Sequence, residues 1–194
     1  MKIIQDEKLH IIGVSAFATT GKDTFSLIAK DFIEKSGHQA HLFNLAHELK
    51  IIANSIVRPH LGIDCLHASP SDKKRIRKIL VGIGQGFRDI DENFWIKKVA
   101  EKISLLDLNE ENFAFIPDIR NPNEAEWIKS HKNGRVISLY NPDIYPPNEH
   151  EAENIPKIKR EFSDVSVYWP HVEENILTSP RLLSIVRETL ENII

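Results

Sequence analysis

Apolar runs bounded by turn residues alternate along this chain with amphipathic segments, the rhythm of an α/β protein. The run Leu9 to Val14 is short and rich in isoleucine and valine, which predicts a strand buried on both faces. From Lys22 to Lys35, Phe25, Ile28, Ala29, Phe32 and Ile33 recur at helical spacing, so this segment is read as a core-facing helix stopped near Gly37. Ala40 to Leu45 reads as a second strand and Ala46 to Val57 as a second helix, followed by a loop from Arg58 to Pro70. Capping residues around Ser69 and Pro70 predict a helix that loosens at Gly82, Gly84 and Gly86. A further helix is expected over Asn93 to Leu106. Phe113 to Pro117 should form a third strand ending on Asp118, and Asn121 to Lys132 a helix broken by Gly134. Arg135 to Tyr140 and Val165 to Trp169 are the fourth and fifth strands, and Pro180 to Ile194 a closing helix. Between the last two strands, Asn141 to Phe162 carries Pro142, Pro146, Pro147, Pro156 and many charges, and is expected to be a surface loop or a mobile lid. Five strands with crossover helices imply a mostly parallel, three-layer sheet with ligands at the carboxyl ends of its strands.

Composition narrows the picture modestly. A chain of 194 residues fits one domain with an insert. The expected organisation is a single domain over 1–194, with a helical region at about 46–106 and a lid-like insert at about 141–162. The net charge of −3 argues against stable nucleic-acid binding, since a protein that grips duplex DNA by its backbone is usually basic. Cys65 is the one cysteine, so no internal disulfide or cysteine zinc site is available, which suits a reducing, cytoplasmic setting. No signal-peptide pattern and no run of about 20 apolar residues is found, so no membrane role is expected. The nine histidines lack zinc-site spacing.

The chemistry is concentrated between Gly13 and Thr24, GVSAFATTGKDT, which stands between a predicted strand and a predicted helix. That is the context a phosphate-binding loop requires. A loop of small residues, Ala16, Phe17, Ala18, Thr19, Thr20 and Gly21, lets backbone N–H groups converge on phosphate oxygens, aided by the following helix dipole. Lys22 can reach the β- and γ-phosphates as a point charge. Against the pattern G-x-x-x-x-G-K-[ST], Ala16 replaces the first glycine, and Asp23 stands where a hydroxyl commonly ligates Mg²⁺. Thr24, one place later, still offers a hydroxyl. An ordinary strand–turn–helix with a chance Gly-Lys is the plainer alternative.

AFATTGKDT resembles the phosphate loop of the deoxynucleoside monophosphate kinases of phages and some bacteria, where G-x-x-x-S-G-K-D-T is typical. Further segments are similar in the same order: LAHELK from Leu45 to Lys50 to F-A-D-P-L-K, and GFRDIDENFW from Gly86 to Trp95 to G-R-D-x-D-P-x-x-W. DIRNPNEAE from Asp118 to Glu126 resembles D-x-R-x-x-N-E-A-E, and HEAE from His150 to Glu153 is similar to H-x-S-E. The resemblance covers roughly residues 10 to 155. It implies a P-loop kinase fold and transfer of the γ-phosphoryl group of ATP, with Mg²⁺, to a (deoxy)nucleoside monophosphate. By position, Ala16 to Thr24 would bind ATP, with Lys22 and Thr24 on its phosphates, and Thr24 and Asp118 would serve the metal. Arg88 would meet the acceptor phosphate, Asp118 and Arg120 would form the active-site floor, and Lys50, Asp89, Trp95 and Arg120 would complete the acceptor side. Small-molecule nucleotides are then the partners, with a homodimer left open.

Phosphoryl transfer needs positioning and charge neutralisation more than covalent chemistry, so a lysine, arginines and a metal are the expected parts. Each assignment has a rival. Arg88 with Asp89 and Asp91 can be a surface salt-bridge cluster, Asp118 a helix cap, Arg120 a partner of Glu124 or Asp118, and Trp95 a core residue. Lys73 to Lys78 reads as a solvated helix face, while Lys157, Lys159 and Arg160 are lid cations or exposed charges. His47, Glu48, Thr19 and Ala152 depart from the family pattern, which leaves the acceptor less secure than the donor. A kinase for another phosphorylated metabolite, as the animal phosphomevalonate kinases are, and a non-catalytic nucleotide-binding module remain the alternatives.

Overall fold

Leu9–Ser15 forms β1, the middle strand of a five-stranded, wholly parallel sheet. The computed structural model describes residues 5–171 and 176–194. After β1 come α1 (Lys22–Lys35), β2 (Gln39–Leu42), α2 (Leu45–Leu61), α3 (Pro70–Ile90), α4 (Phe94–Ile103), β3 (Asn112–Ile119), α5 (Pro122–Lys129), β4 (Asn133–Tyr140), α6 (Glu149–Glu161), β5 (Val165–Tyr168) and α7 (Pro180–Glu191). The strand order is β2-β3-β1-β4-β5. The fold is therefore the expected three-layer α/β class, with all its strands parallel. Among the described residues no helix is long and apolar enough to cross a membrane.

Successive residues of a strand face opposite sides, and both sides of this sheet are covered. Ile12, Val14, Phe113, Phe115, Ile137 and Leu139 share one core with Phe25, Ile28 and Ile33 of α1 and Leu182, Val186 and Leu190 of α7. Gly13 points the other way, where a Cβ would lie 2.5 Å from Ile128 Cδ1 of α5 and 3.0 Å from Ile119 Cγ1. The chain thus leaves β1 toward one layer and the neighbouring β3 toward the other. Such a reversal opens a crevice at the carboxyl ends of the two strands.

Two compact units divide the chain: one is the sheet unit, up to Phe43 and from Ile103 onward, and the other is Asn44–Lys102, inserted between β2 and β3. Ala53, Val57, Ile63, Cys65 and Ile76 make the core of this second unit.

Several boundaries differ from the sequence reading. β2 ends at Leu42, although Phe43 N still donates to Phe115 O at 2.9 Å. α2 continues past Arg58 to Leu61 with Pro59 in its last turn, and closes on Gly62. α3 does not loosen at its glycines but runs unbroken from Pro70 to Ile90. Trp95 Nε1 donates to Gly84 O at 3.1 Å, and Leu49 packs over the bare Cα of Gly84, so tertiary contact outweighs weak propensity. α4 is shorter than expected, and α5 ends at Lys129, with Gly134 already in β4.

β3 does not stop at Asp118. Gly13 pairs with Ile116 and Ser15 with Ile119, so three residues of β3 span two of β1. Pro117 has no N–H to give the ladder there, and the extra residue forms a bulge that re-aims the residues beyond it. The polar stretch 141–162 is a loop to Asn148 and then α6, in which Glu151, Ile155 and Ile158 are buried despite Pro156.

Candidate functional site

The loop from Ala16 to Gly21 turns β1 into α1 at the crevice. Gly21 has φ 105°, and Thr19, alone among the described non-glycine residues, has a positive φ of 68°. Alternating left-handed turns of this kind direct neighbouring N–H groups to one side, a concavity suited to an anion. Ala16, which replaces a glycine of the motif, therefore holds a conformation without strain. Glycine is required at 21 on two counts: its φ, and the Trp169 indole, whose Cδ1 would lie 2.8 Å from an added Cβ. Trp169 is itself held by Phe25, with ring centroids 5.5 Å apart.

Lys22 opens α1 and folds back over the loop, its Nζ donating to Ala16 O at 3.1 Å and Phe17 O at 2.9 Å. Only 7% of the residue is exposed. Burial lowers its pKa, as does the nearby Arg120, while Glu151, Asp23 and Asp118 oppose that shift. Asp23 is exposed in the first turn of α1 and Thr24 is half-buried behind it. Thr20 is buried and closes the turn onto Phe17 O.

The bulge in β3 delivers Asp118 and Arg120 to the same crevice. Asp118 lies close enough for its charge to act on Lys22. Arg120 divides its groups between two carboxylates: its backbone N–H donates to Glu124 at 2.8 Å and its Nη1 to Glu151 at 2.8 Å. Glu124, buried in the first turn of α5, also accepts from Asn121 N at 2.9 Å, which fixes the β3–α5 corner. The other Glu151 oxygen accepts from Ala18 N at 2.8 Å, so one carboxylate ties the loop to Arg120.

Lys50, Arg88, Asp89 and Trp95 lie in the helical unit. Trp95 is 2% exposed, its N–H is spent on Gly84 O, and Phe87 and Phe94 pack on its ring, which makes it a core residue there. The Arg88 side chain lies along the face of α3 at Gly84, where Nη1 would be 3.7 Å from an added Cβ. Asp89 is exposed and accepts from Gln85, and Asp91 pairs with Lys97 at 2.6 Å. Glu48 is buried against Lys102, a structural pair. Lys50 is half-buried and its charge acts on the Cys65 thiol, which burial pushes up. Lys73, Lys74, Arg75, Arg77 and Lys78 are all exposed, as a solvated face should be. In the sheet unit, Lys159 lies 4.3 Å above the Tyr140 ring, Arg160 pairs with Glu161, and Lys157 is exposed.

The donor set suits a polyphosphate. A loop N–H and a guanidinium here already hold a carboxylate, so the site is chemically receptive to an anion, with a buried ammonium alongside. Of the two residues expected to serve Mg²⁺, Asp118 lies close enough for its charge to act on Lys22 and Thr24 is half-buried in the first turn of α1; a cation that keeps several waters would need few protein ligands. No cluster of three metal-binding side chains occurs among the described residues. Sequence reasoning gave no role to Glu151 or Trp169, and named Glu124 only as a rival partner of Arg120. Asn148 followed three residues later by Glu151 has capping-box spacing and could have marked the start of α6. Nothing in the sequence pointed to Trp169.

A scan against protein-family models finds none that matches this chain, and a search of curated proteins finds no significant match.

Proposed function

We propose that this protein transfers the γ-phosphoryl group of ATP to a (deoxy)nucleoside monophosphate. The observation that carries the reading is the convergence, at one sheet crevice, of the Gly21-Lys22 turn with Asp118 and Arg120. Lys22, already stripped of most of its water and tethered across the loop, is preorganised to neutralise phosphate charge without further ordering. The loop N–H groups and the N-terminus of α1 add fixed dipoles. Arg120 supplies a planar fork for phosphate oxygens, and Thr24 and Asp118 would hold the metal. Bound MgATP would supply the transferable group and the metal charge. On the acceptor side, Arg88 would bind the monophosphate, with Lys50 and Asp89 beside it. Trp95 would act only indirectly, by bracing α3 through Gly84 beneath the Arg88 side chain.

The reading is tested by following label from γ-labelled ATP, with Mg²⁺, across a panel of dNMPs, NMPs and phosphomevalonate. Label appearing in one or a few nucleoside diphosphates is the expected result. Label in diphosphomevalonate alone would reassign the acceptor. The anion site already filled by Glu151 also suits a module that binds nucleotide without turnover, and tight ATP binding with no label transfer would favour that second reading.

A further inference from the structure

Glu151 is a charged side chain at the heart of this site that the proposed chemistry does not use. Its carboxylate is 2% exposed. One oxygen accepts from Ala18 N at 2.8 Å and the other from Arg120 Nη1 at 2.8 Å. A backbone N–H in a left-handed loop and an arginine fork are the donors a phosphoryl oxygen would seek. If the carboxylate stayed, an incoming polyphosphate would meet a buried like charge and lose both donors to it.

We infer that the Glu151 carboxylate is the resident anion of the phosphate site, which a phosphoryl group of the nucleotide displaces, freeing the first turn of α6. The inference rests on the reading of this loop as a nucleotide site. The local architecture permits the movement. Ile155 and Ile158 anchor the rest of α6 in the core, while Asn148, Glu149 and His150 ahead of Glu151 are exposed. The ties that must give include Glu151 N to Asn148 Oδ1 at 2.9 Å, Ala152 N to Asn148 O at 3.0 Å and the 2.9 Å contact of His150 Nε2 with Asn121 Oδ1. Only a turn of helix has to shift.

The probe is inorganic tripolyphosphate, titrated calorimetrically into the wild type, Glu151→Gln, Glu151→Asp and Lys22→Ala. Glu151→Gln keeps the shape but not the charge, and should bind tripolyphosphate about three- to tenfold tighter, because the competing closed state is depopulated. Glu151→Asp keeps the charge one methylene short of spanning both donors, and should fall between. In the wild type, tripolyphosphate should also raise amide exchange across residues 148–152, which a purely structural clamp would not show. That second readout stands even if the variants fold poorly. Unchanged or weaker affinity in folded Glu151→Gln, or unchanged exchange at 148–152, overturns the inference. Binding that Lys22→Ala abolishes but Glu151→Gln leaves unaltered would sink this inference alone. Absence of binding, or binding indifferent to Lys22→Ala, would sink the nucleotide-site reading with it.

Discussion

At position 21 a backbone angle and a neighbour impose the same residue. A side chain there would be strained at φ 105° and would collide with the Trp169 indole. Gly21→Ala should therefore lower unfolding free energy by about 2–4 kcal/mol, the range for combined strain and overpacking. Denaturant unfolding measures it, and a loss below about 0.5 kcal/mol would mean the loop rearranges at little cost. The turn at Gly21 and Lys22 was legible in the sequence from its place between a strand and a helix, without the Trp169 contact that also fixes position 21. Glu151 was not, because its partner Ala18 lies 133 positions away and only the folded sheet joins them. Trp95 was half legible: its aromatic neighbours announced a core residue, but its hydrogen bond to Gly84 could not be read from spacing.

Among the helices, α3 was misjudged because three glycines suggested that it loosens there. Gly82 and Gly86 face open space, where an added Cβ meets nothing within 4 Å. Gly82→Ala and Gly86→Ala should each raise stability by about 0.5–1 kcal/mol, through a less flexible unfolded chain. Thermal melts of both variants check this, and destabilisation would indicate that the helix needs freedom there. Just beyond α5, His131 is buried, with its Nδ1 2.9 Å from Trp127 O. Burial lowers its pKa from the ordinary 6.5, so below that pH the unfolded chain takes up a proton that the folded one resists. Stability is thus lost as pH falls from 6.5 toward the lowered folded value, and levels off below it. His131→Gln should flatten this part of the melting-temperature profile; an unaltered profile would place the acid sensitivity elsewhere. The α6 segment was hidden for a different reason. Pro156 and the three prolines ahead of it read as loop, while Ile155 and Ile158 supply a buried stripe too short to outweigh them in the sequence.

For the molecule as a whole, alternating apolar runs were enough to specify a parallel three-layer sheet. Strand order was not readable, because pairing depends on how far each crossover carries the chain. That order matters chemically. With β1 between β3 and β4, the loop after β1 and the bulged end of β3 share one crevice, so Lys22, Asp118 and Arg120 converge from segments about a hundred residues apart. The bulge at Pro117, which sets the aim of Arg120, followed from register and not from composition. The inserted helical unit carries Arg88 and Lys50 and has a separate core, which would give the proposed acceptor chemistry its own structural support.

The central claim stands on Lys22. Coupled ADP release should be measured with ATP, Mg²⁺ and the panel of monophosphates, for the wild type and Lys22→Ala side by side. The account predicts acceptor-dependent release that falls by about three orders of magnitude in Lys22→Ala, as expected when preorganised charge stabilisation is removed. Release that proceeds equally in both proteins would contradict it.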